Sequence, residues 1–346
     1  MSCIRFSIVA LLAVLVSPWF AAGEDQVYRK GAKTEAGVIK NMTKTEVTIA
    51  VNSVDIVIPA NEITRISCEG ESSQMSDVRN NVIQSNFKAA ADDLKQIKLK
   101  ADDRDIARQE VEFYRAFCAA KLAMTEGGDK AAAEGGLTDF VKKYKDSFHF
   151  YTVAMLAGDV AASAGNFVKA ASYYTAVEKS PWPESSLRAR VELGRMLLAQ
   201  EKFEEALGKF EAVVNDPAKT AETTPLKEMA KVGQATCLGG SGKTAEAIKM
   251  LTGEGGIISN ADLKNTALMA RAYNALGTAH FKAGQKKEAK LAFMHTDLLF
   301  FADSDAHAEA LYYLIKLFNE EKKADRATAA ATTLKARYPG SVWANK

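Results

Sequence analysis

Residues 148–181 read FHFYTVAMLAGDVAASAGNFVKAASYYTAVEKSP, and residues 184–217 read ESSLRARVELGRMLLAQEKFEEALGKFEAVVNDP. Laid over one another at a shift of 36 residues, Gly158 falls on Gly194, Phe167 on Phe203, Ala170 on Ala206, Tyr174 on Phe210, Val177 on Val213 and Pro181 on Pro217. Each of these positions is kept or exchanged for a side chain of similar character. A shift of this length is the mark of stacked structural units.

The spacing inside the unit is helical. Phe203, Ala206, Phe210 and Val213 stand at i, i+3, i+7 and i+10, which is one stripe of an α-helix. Upstream, Leu193, Leu197 and Leu198 form a second apolar face. Small Gly194 and Ala206 suit the place where two helices cross most closely. Pro217 follows the second helix, which it cannot continue because it lacks an N–H and clashes with the preceding turn. The unit is thus a helical hairpin with one apolar side, stable when stacked on neighbours.

Leu193-Gly194, Phe203, Ala206, Phe210 and Pro217 resemble the tetratricopeptide repeat, and Leu156-Ala157-Gly158, Gly165, Phe167, Ala170, Tyr174 and Pro181 make a second copy. The resemblance implies a mainly α fold, a tetratricopeptide-like solenoid. It is specific for architecture and nearly silent on biochemical task.

Working outward, residues 1–23 carry a basic Arg5, an unbroken apolar run from Ile8 to Val16 and small residues Ala21-Ala22-Gly23. This is the pattern of a secretory signal peptide cleaved near Gly23, and the run is too short to span a bilayer. Residues 24–70 form a small β domain. Gly37-Val38-Ile39, Glu46 to Val51, Val54 to Ile58 and Ile63 to Cys68 are rich in β-branched residues, with Asn52-Ser53 as a turn. Gly37-Val38-Ile39 and Ile58-Pro59-Ala60-Asn61-Glu62-Ile63 resemble parts of an SH3-like or Sm-like barrel. So small a barrel is expected to pack on the first helices or on another subunit.

From Ser76 the period turns helical. Residues 71–146 hold degenerate hairpins: Phe87, Ala90, Leu94 and Ile97 repeat the second-helix spacing, and Asp102 to Met124 pairs with Lys130 to Tyr144. The repeat array proper covers 147–346. Its later copies contain Ala235, Gly242, Ala247 and Leu251, then Leu276-Gly277, Gly284, Ala289 and Phe293, then Leu314, Phe318, Ala327, Leu334 and Pro339. About seven hairpins result, with Gly253 to Asn260 as the expected flexible loop. Tyr338-Pro339-Gly340-Ser341 resembles a repeat ending common in bacterial envelope proteins of this class.

Composition narrows the function. Forty-five Lys and Arg stand against 43 Asp and Glu, with no basic block, which argues against nucleic acid as a partner. Cys68, Cys118 and Cys237 remain after the leader, too sparse for a disulfide framework; three buried apolar thiols, or one bridge and one free thiol, are both compatible. Gly239-Gly240-Ser241-Gly242-Lys243-Thr244 ends like a phosphate loop, but Cys237 stands where the first Gly belongs and a helix precedes it. Gly242 instead occupies the inter-helix turn. His149, His280, His295 and His307 form no ligand set, and Asp92-Asp93, Asp102-Asp103 and Glu204-Glu205 diverge on helix faces rather than converge. No catalytic, cofactor-binding or metal-binding residues are assigned, and no cofactor is expected.

The family resemblance implies a protein or peptide partner in the concave groove lined by the first helix of each hairpin. Its groove positions fall on Met155 and Asp159, on Arg188, Val191, Arg195 and Leu198, on Arg271, Asn274, Thr278 and Phe281, and on Tyr312 and Lys316. The Lys/Asn set that clamps C-terminal carboxylates in chaperone-binding relatives is missing. The expectation is a periplasmic or secreted, non-enzymatic scaffold or adaptor of the bacterial cell envelope. The alternatives are a self-assembling structural component, hence a homo-oligomer, and, third, an enzyme whose site no local motif reveals.

Overall fold

The computed structural model describes residues 24–125, 128–260 and 262–346; the expected export segment, 1–23, lies outside the described residues. The chain opens with a five-stranded antiparallel sheet: β1 (Asp25–Arg29), β2 (Thr34–Met42), β3 (Glu46–Val51), β4 (Val54–Pro59) and β5 (Ile63–Ser67). The strand order is β4-β3-β2-β1-β5, so β4 and β5 are its edges. Strand β1 has no counterpart in the sequence reading, because Val27 is its one apolar side chain turned into the core. What holds β1 is long-range. The buried Asp25 carboxylate accepts from the Ile39 and Glu69 amides and from the Arg104 guanidinium, at 2.6–2.9 Å. Burial alone would raise the Asp25 pKa, but the Arg104 hydrogen bond and the two amides outweigh it and hold the carboxyl below its usual range.

The turn between β3 and β4 falls on Asn52 and Ser53, with φ of 51° and 66°. That left-handed pair is the conformation a tight hairpin requires. Gly37 is needed for contact rather than for a turn: a Cβ there would lie 2.0 Å from the Ala50 carbonyl oxygen.

Helices follow in pairs: α1 (Gln74–Ile83) with α2 (Phe87–Gln96), α3 (Asp105–Thr125) with α4 (Lys130–Lys143), and α5 (Phe150–Ser163) with α6 (Phe167–Glu178). Next come α7 (Pro183–Ala199) with α8 (Phe203–Val214), and α9 (Thr223–Gly240) with α10 (Thr244–Thr252). A single turn, α11 (Ile257–Asn260), precedes α12 (Thr266–Lys282) with α13 (Lys286–Leu299), and α14 (Ser304–Glu320) with α15 (Ala324–Arg337). Among the described residues this makes seven hairpins. The expected loop at Gly253–Asn260 is therefore corrected in part: Ile257 and Ile258 pack on Val232, Leu251 and Leu268, and that contact folds the segment into a turn of helix.

The repeated glycines explain the repeated aromatics. A Cβ on Gly158 would lie 2.4 Å from the Tyr174 ring, one on Gly194 2.8 Å from Phe210, and one on Gly277 2.8 Å from Phe293. In each of these three hairpins the ring of the second helix packs on the bare backbone of the first. Six of the turns between paired helices pass through a left-handed residue: Ser85, Gly165, Glu201, Gly242, Gly284 and Lys322. Gly242, at φ 90°, thus belongs to a helix turn, with Gly239 and Gly240 still inside α9.

The sheet docks on the helical array. Val27, Val47, Ile49, Ile58 and Ile66 form one cluster with Ala107 of α3 and with Phe148, and Trp182 packs on its margin. Asn61 donates to Glu184 of α7 at 2.8 Å. Beneath the junction lies an internal polar network. Arg79 pairs with Glu71 at 2.6 Å, and Glu110 accepts from Arg79 at 3.5 Å and contacts His149 Nε2 at 2.7 Å. His149 stacks on Phe113, ring centres 3.5 Å apart, so it is a core histidine. Cys68, Cys118 and Cys237 are all free and buried, which settles the pairing left open by their number. Burial pushes Cys118 up to about 11 and Cys237 up to about 12, values at which a thiol is inert near neutrality.

Candidate partner-binding groove

The last five hairpins contribute their first helices to one surface. Helices α5, α7, α9, α12 and α14 pack successively on one another, and the array curls far enough for distant members to meet across the inside. Arg195 of α7 lies 3.6 Å from Asp305 of α14, and Arg271 of α12 lies 3.6 Å from the same carboxylate. Arg271 also holds Asp303, the N-cap of α14, at 2.8 Å. Arg195 is 30% exposed and is paired on its own helix with Glu192 at 3.0 Å. Against the cost of burial, Glu192, Asp305 and Asp303 hold its guanidinium above its usual value.

Two carboxyls in this surface are kept partly protonated near neutrality. Burial is the main cause at Glu309, which is pushed up to about 7; Asp305 adds to it, while Asn274, Arg271 and Lys346 oppose it. Asp159 is pushed up to about 6, first by burial and then by Glu192, against Arg188 and the Tyr174 hydroxyl, which donates to it at 2.9 Å.

An aromatic end completes the surface. Phe281 meets Tyr313 edge-on at 5.3 Å, and Tyr312 and Tyr313 lie 5.4 and 6.1 Å from Trp343. Lys316 stands over the Tyr312 ring at 4.2 Å.

The expected groove positions separate into two groups. Arg188 and Lys316 are exposed, and Asp159, Arg195, Leu198, Arg271, Thr278, Phe281 and Tyr312 are half-buried. Val191 is corrected: at 2% exposure it belongs to the core with Leu187, Ala206, Phe210 and Val213 and presents no surface. Met155 is likewise buried, against Tyr174 and Leu193. Asn274 is 2% exposed but keeps a polar function. Its amide N–H groups donate to the Ala306 carbonyl at 2.7 Å and to Glu309 at 2.9 Å, and its Oδ1 has no partner. Glu192, Asp303, Asp305, Glu309, Tyr313 and Trp343 were missed. The signal for some was present: Arg188, Glu192 and Arg195 stand at i, i+4 and i+7, and Asp305, Glu309, Tyr312 and Lys316 continue the same spacing on α14.

Among the described residues no group of three His, Cys, Asp or Glu is arranged to hold a metal, and no helix is long and apolar enough to cross a membrane.

A curled array of seven hairpins with this groove is a tetratricopeptide-like solenoid preceded by a small sheet, and the comparisons agree. Residues 127–220 and 309–341 match family models described as tetratricopeptide repeat. A tetratricopeptide repeat protein from Parabacteroides merdae is similar in fold, with a TM-score of 0.58 at 13% identity, over 77% of this chain and 92% of that one. A Rap protein complexed with competence and sporulation factor has a TM-score of 0.53 at 13% identity, over 78% of this chain and 76% of its own. The Rap conjugation gene regulator of plasmid pLS20, in complex with the Phr* peptide, has a TM-score of 0.53 at 10% identity, over 77% and 84%. No curated protein matches the sequence.

Proposed function

We propose that this chain is a protein-interaction scaffold that holds an extended peptide or protein segment in the concave groove. The observation that carries the reading is the aromatic end of the groove, where Phe281 meets Tyr313 at 5.3 Å and Trp343 packs on Tyr312 and Tyr313. Phe281, Tyr313 and Trp343 offer apolar seats, and aromatic and Arg anchors dominate protein interfaces. The two Rap proteins of similar fold, one with its factor and one with its peptide, support the same use of the fold.

The leader-like composition of residues 1–23 supports export, and we place the scaffold in the envelope or outside the cell. The test is crosslinking and mass spectrometry on the native envelope, comparing wild type with a folded Arg188→Glu/Phe281→Ala variant. A partner held by wild type and lost by the variant supports the groove. Equal capture by both moves the interface elsewhere and refutes the groove assignment.

Strand β4 favours a second reading. It is a sheet edge, and Val54 and Val57 on it are 63% and 55% exposed. Edges of that kind pair with other chains, so a second copy would suit it. Light scattering decides: a monomer at all concentrations removes the self-assembly reading, whereas a dimer abolished by Val57→Lys would establish it.

A further inference from the structure

A second recess lies away from the groove, where α1 and α3 face the sheet. It has a volume of about 460 Å3, in the range of small-ligand pockets. Tyr28, Lys33 and Arg65 line it from the sheet, and Arg79, Ile83 and Tyr114 line it from the helices. Tyr28 is paired across the ladder with both Thr34 and Arg65, so these three side chains share the face opposite the buried Val27 and Ile66.

The lining has four cationic groups and no acid. Two of the cations are already matched: Arg29 by Glu35 and Glu62, and Arg79 by Glu71 and Glu110. The other two are not. Among the described residues neither Lys33 nor Arg65 forms an ion pair, and the Arg65 guanidinium rests 3.8 Å above the Tyr28 ring. Arg79 lines the recess but is closed to solvent. It is 3% exposed, its terminal nitrogens serve the glutamates, and its Nε–H has no acceptor. At the other end the recess is apolar, with Tyr114, Val82 and Ile83, the last 72% exposed.

We propose that this recess binds a small organic anion: a carboxylate or phosphate held by Arg65 and Lys33, on an apolar or aromatic body resting on Tyr28, Tyr114 and Ile83. Arginine suits such a head group because its planar donors match oxyanion geometry. The inference is independent of the groove.

The test titrates the full chain, by calorimetry and ligand-observed NMR, with phenyl phosphate, 3-phenylpropionate and the neutral 3-phenylpropionamide. At least one anion should bind saturably, about tenfold or more tighter than the amide, and more weakly as salt rises. The tighter of the two anions identifies the head group. Lys33→Ala/Arg65→Ala, which breaks no ion pair and keeps the fold by circular dichroism, should weaken that binding about tenfold or more. The proposal fails if the amide binds as well as the anions, if the double variant binds unchanged, or if no anion saturates below about 10 mM.

Discussion

Arg195 and Asp305 face each other at 3.6 Å with two hairpins between them in sequence. The contact closes the inner side of the curl and brings α7, α12 and α14 into one electrostatic unit, since Arg271 shares the same carboxylate. Asp305 is 55% exposed, so the pair is screened by solvent. A double-mutant cycle of Arg195→Ala and Asp305→Ala should give a coupling of about 0.2–1 kcal/mol that shrinks in 1 M salt. Asp305→Lys places a third cation between two arginines and should open the curl. Small-angle scattering with an unchanged radius of gyration would show that packing alone sets the curvature.

The contact between helix backbone and ring predicts the cost of one methyl group. At Gly194 the Phe210 ring cannot swing aside, because a Cβ on Gly233 of the next hairpin would lie 2.5 Å from the same ring. Gly194→Ala gains about 1 kcal/mol in helix propensity but overpacks this contact by about 1–3 kcal/mol or more. We expect net loss in denaturant unfolding. Ala206→Phe, at a fully buried position of the partner helix, should also destabilise, by about 1–3 kcal/mol or more. An unchanged midpoint for either variant would show that the hairpin crossing yields more readily than its geometry suggests.

Glu309 makes stability depend on pH in a defined direction. Its folded pKa is raised from 4.5 to about 7, so the folded state binds the proton more tightly than the unfolded chain does. Its contribution is therefore fully present below pH 4.5 and is lost as pH rises through about 7. Glu309→Gln can still accept the Asn274 hydrogen bond and should flatten the stability profile over that window. Measured by urea unfolding, the variant should gain on wild type between pH 5 and pH 8. A parallel loss in both proteins would assign the dependence to other groups.

Lys322 occupies the left-handed turn position that Gly165, Gly242 and Gly284 fill in other hairpins, with φ of 57°. A side chain costs about 1–2 kcal/mol there, part of which glycine returns through its freer unfolded state. Lys322→Gly should raise the unfolding midpoint by an amount equivalent to about 0.5–1 kcal/mol. A fall would mean that contacts of the lysine outweigh the backbone strain.

The sequence by itself determined the hairpin. Gly158 with Tyr174 and Gly194 with Phe210 are local pairs, close enough along the chain for periodicity to expose them, and the same holds for the turn at Asn52-Ser53. Local stripes also contained part of the groove, as Arg188, Glu192 and Arg195 show. Tertiary structure decided the rest. Val191 and Arg195 are one helical turn apart, yet one is core and the other surface, because the crossing with α8 and α9 fixes how far α7 is rotated. Strand β1 exists through Asp25, whose partners Ile39, Glu69 and Arg104 are scattered along the chain. The meeting of Arg195 with Asp305 depends on small rotations summed over successive hairpins, and no local pattern encodes that sum.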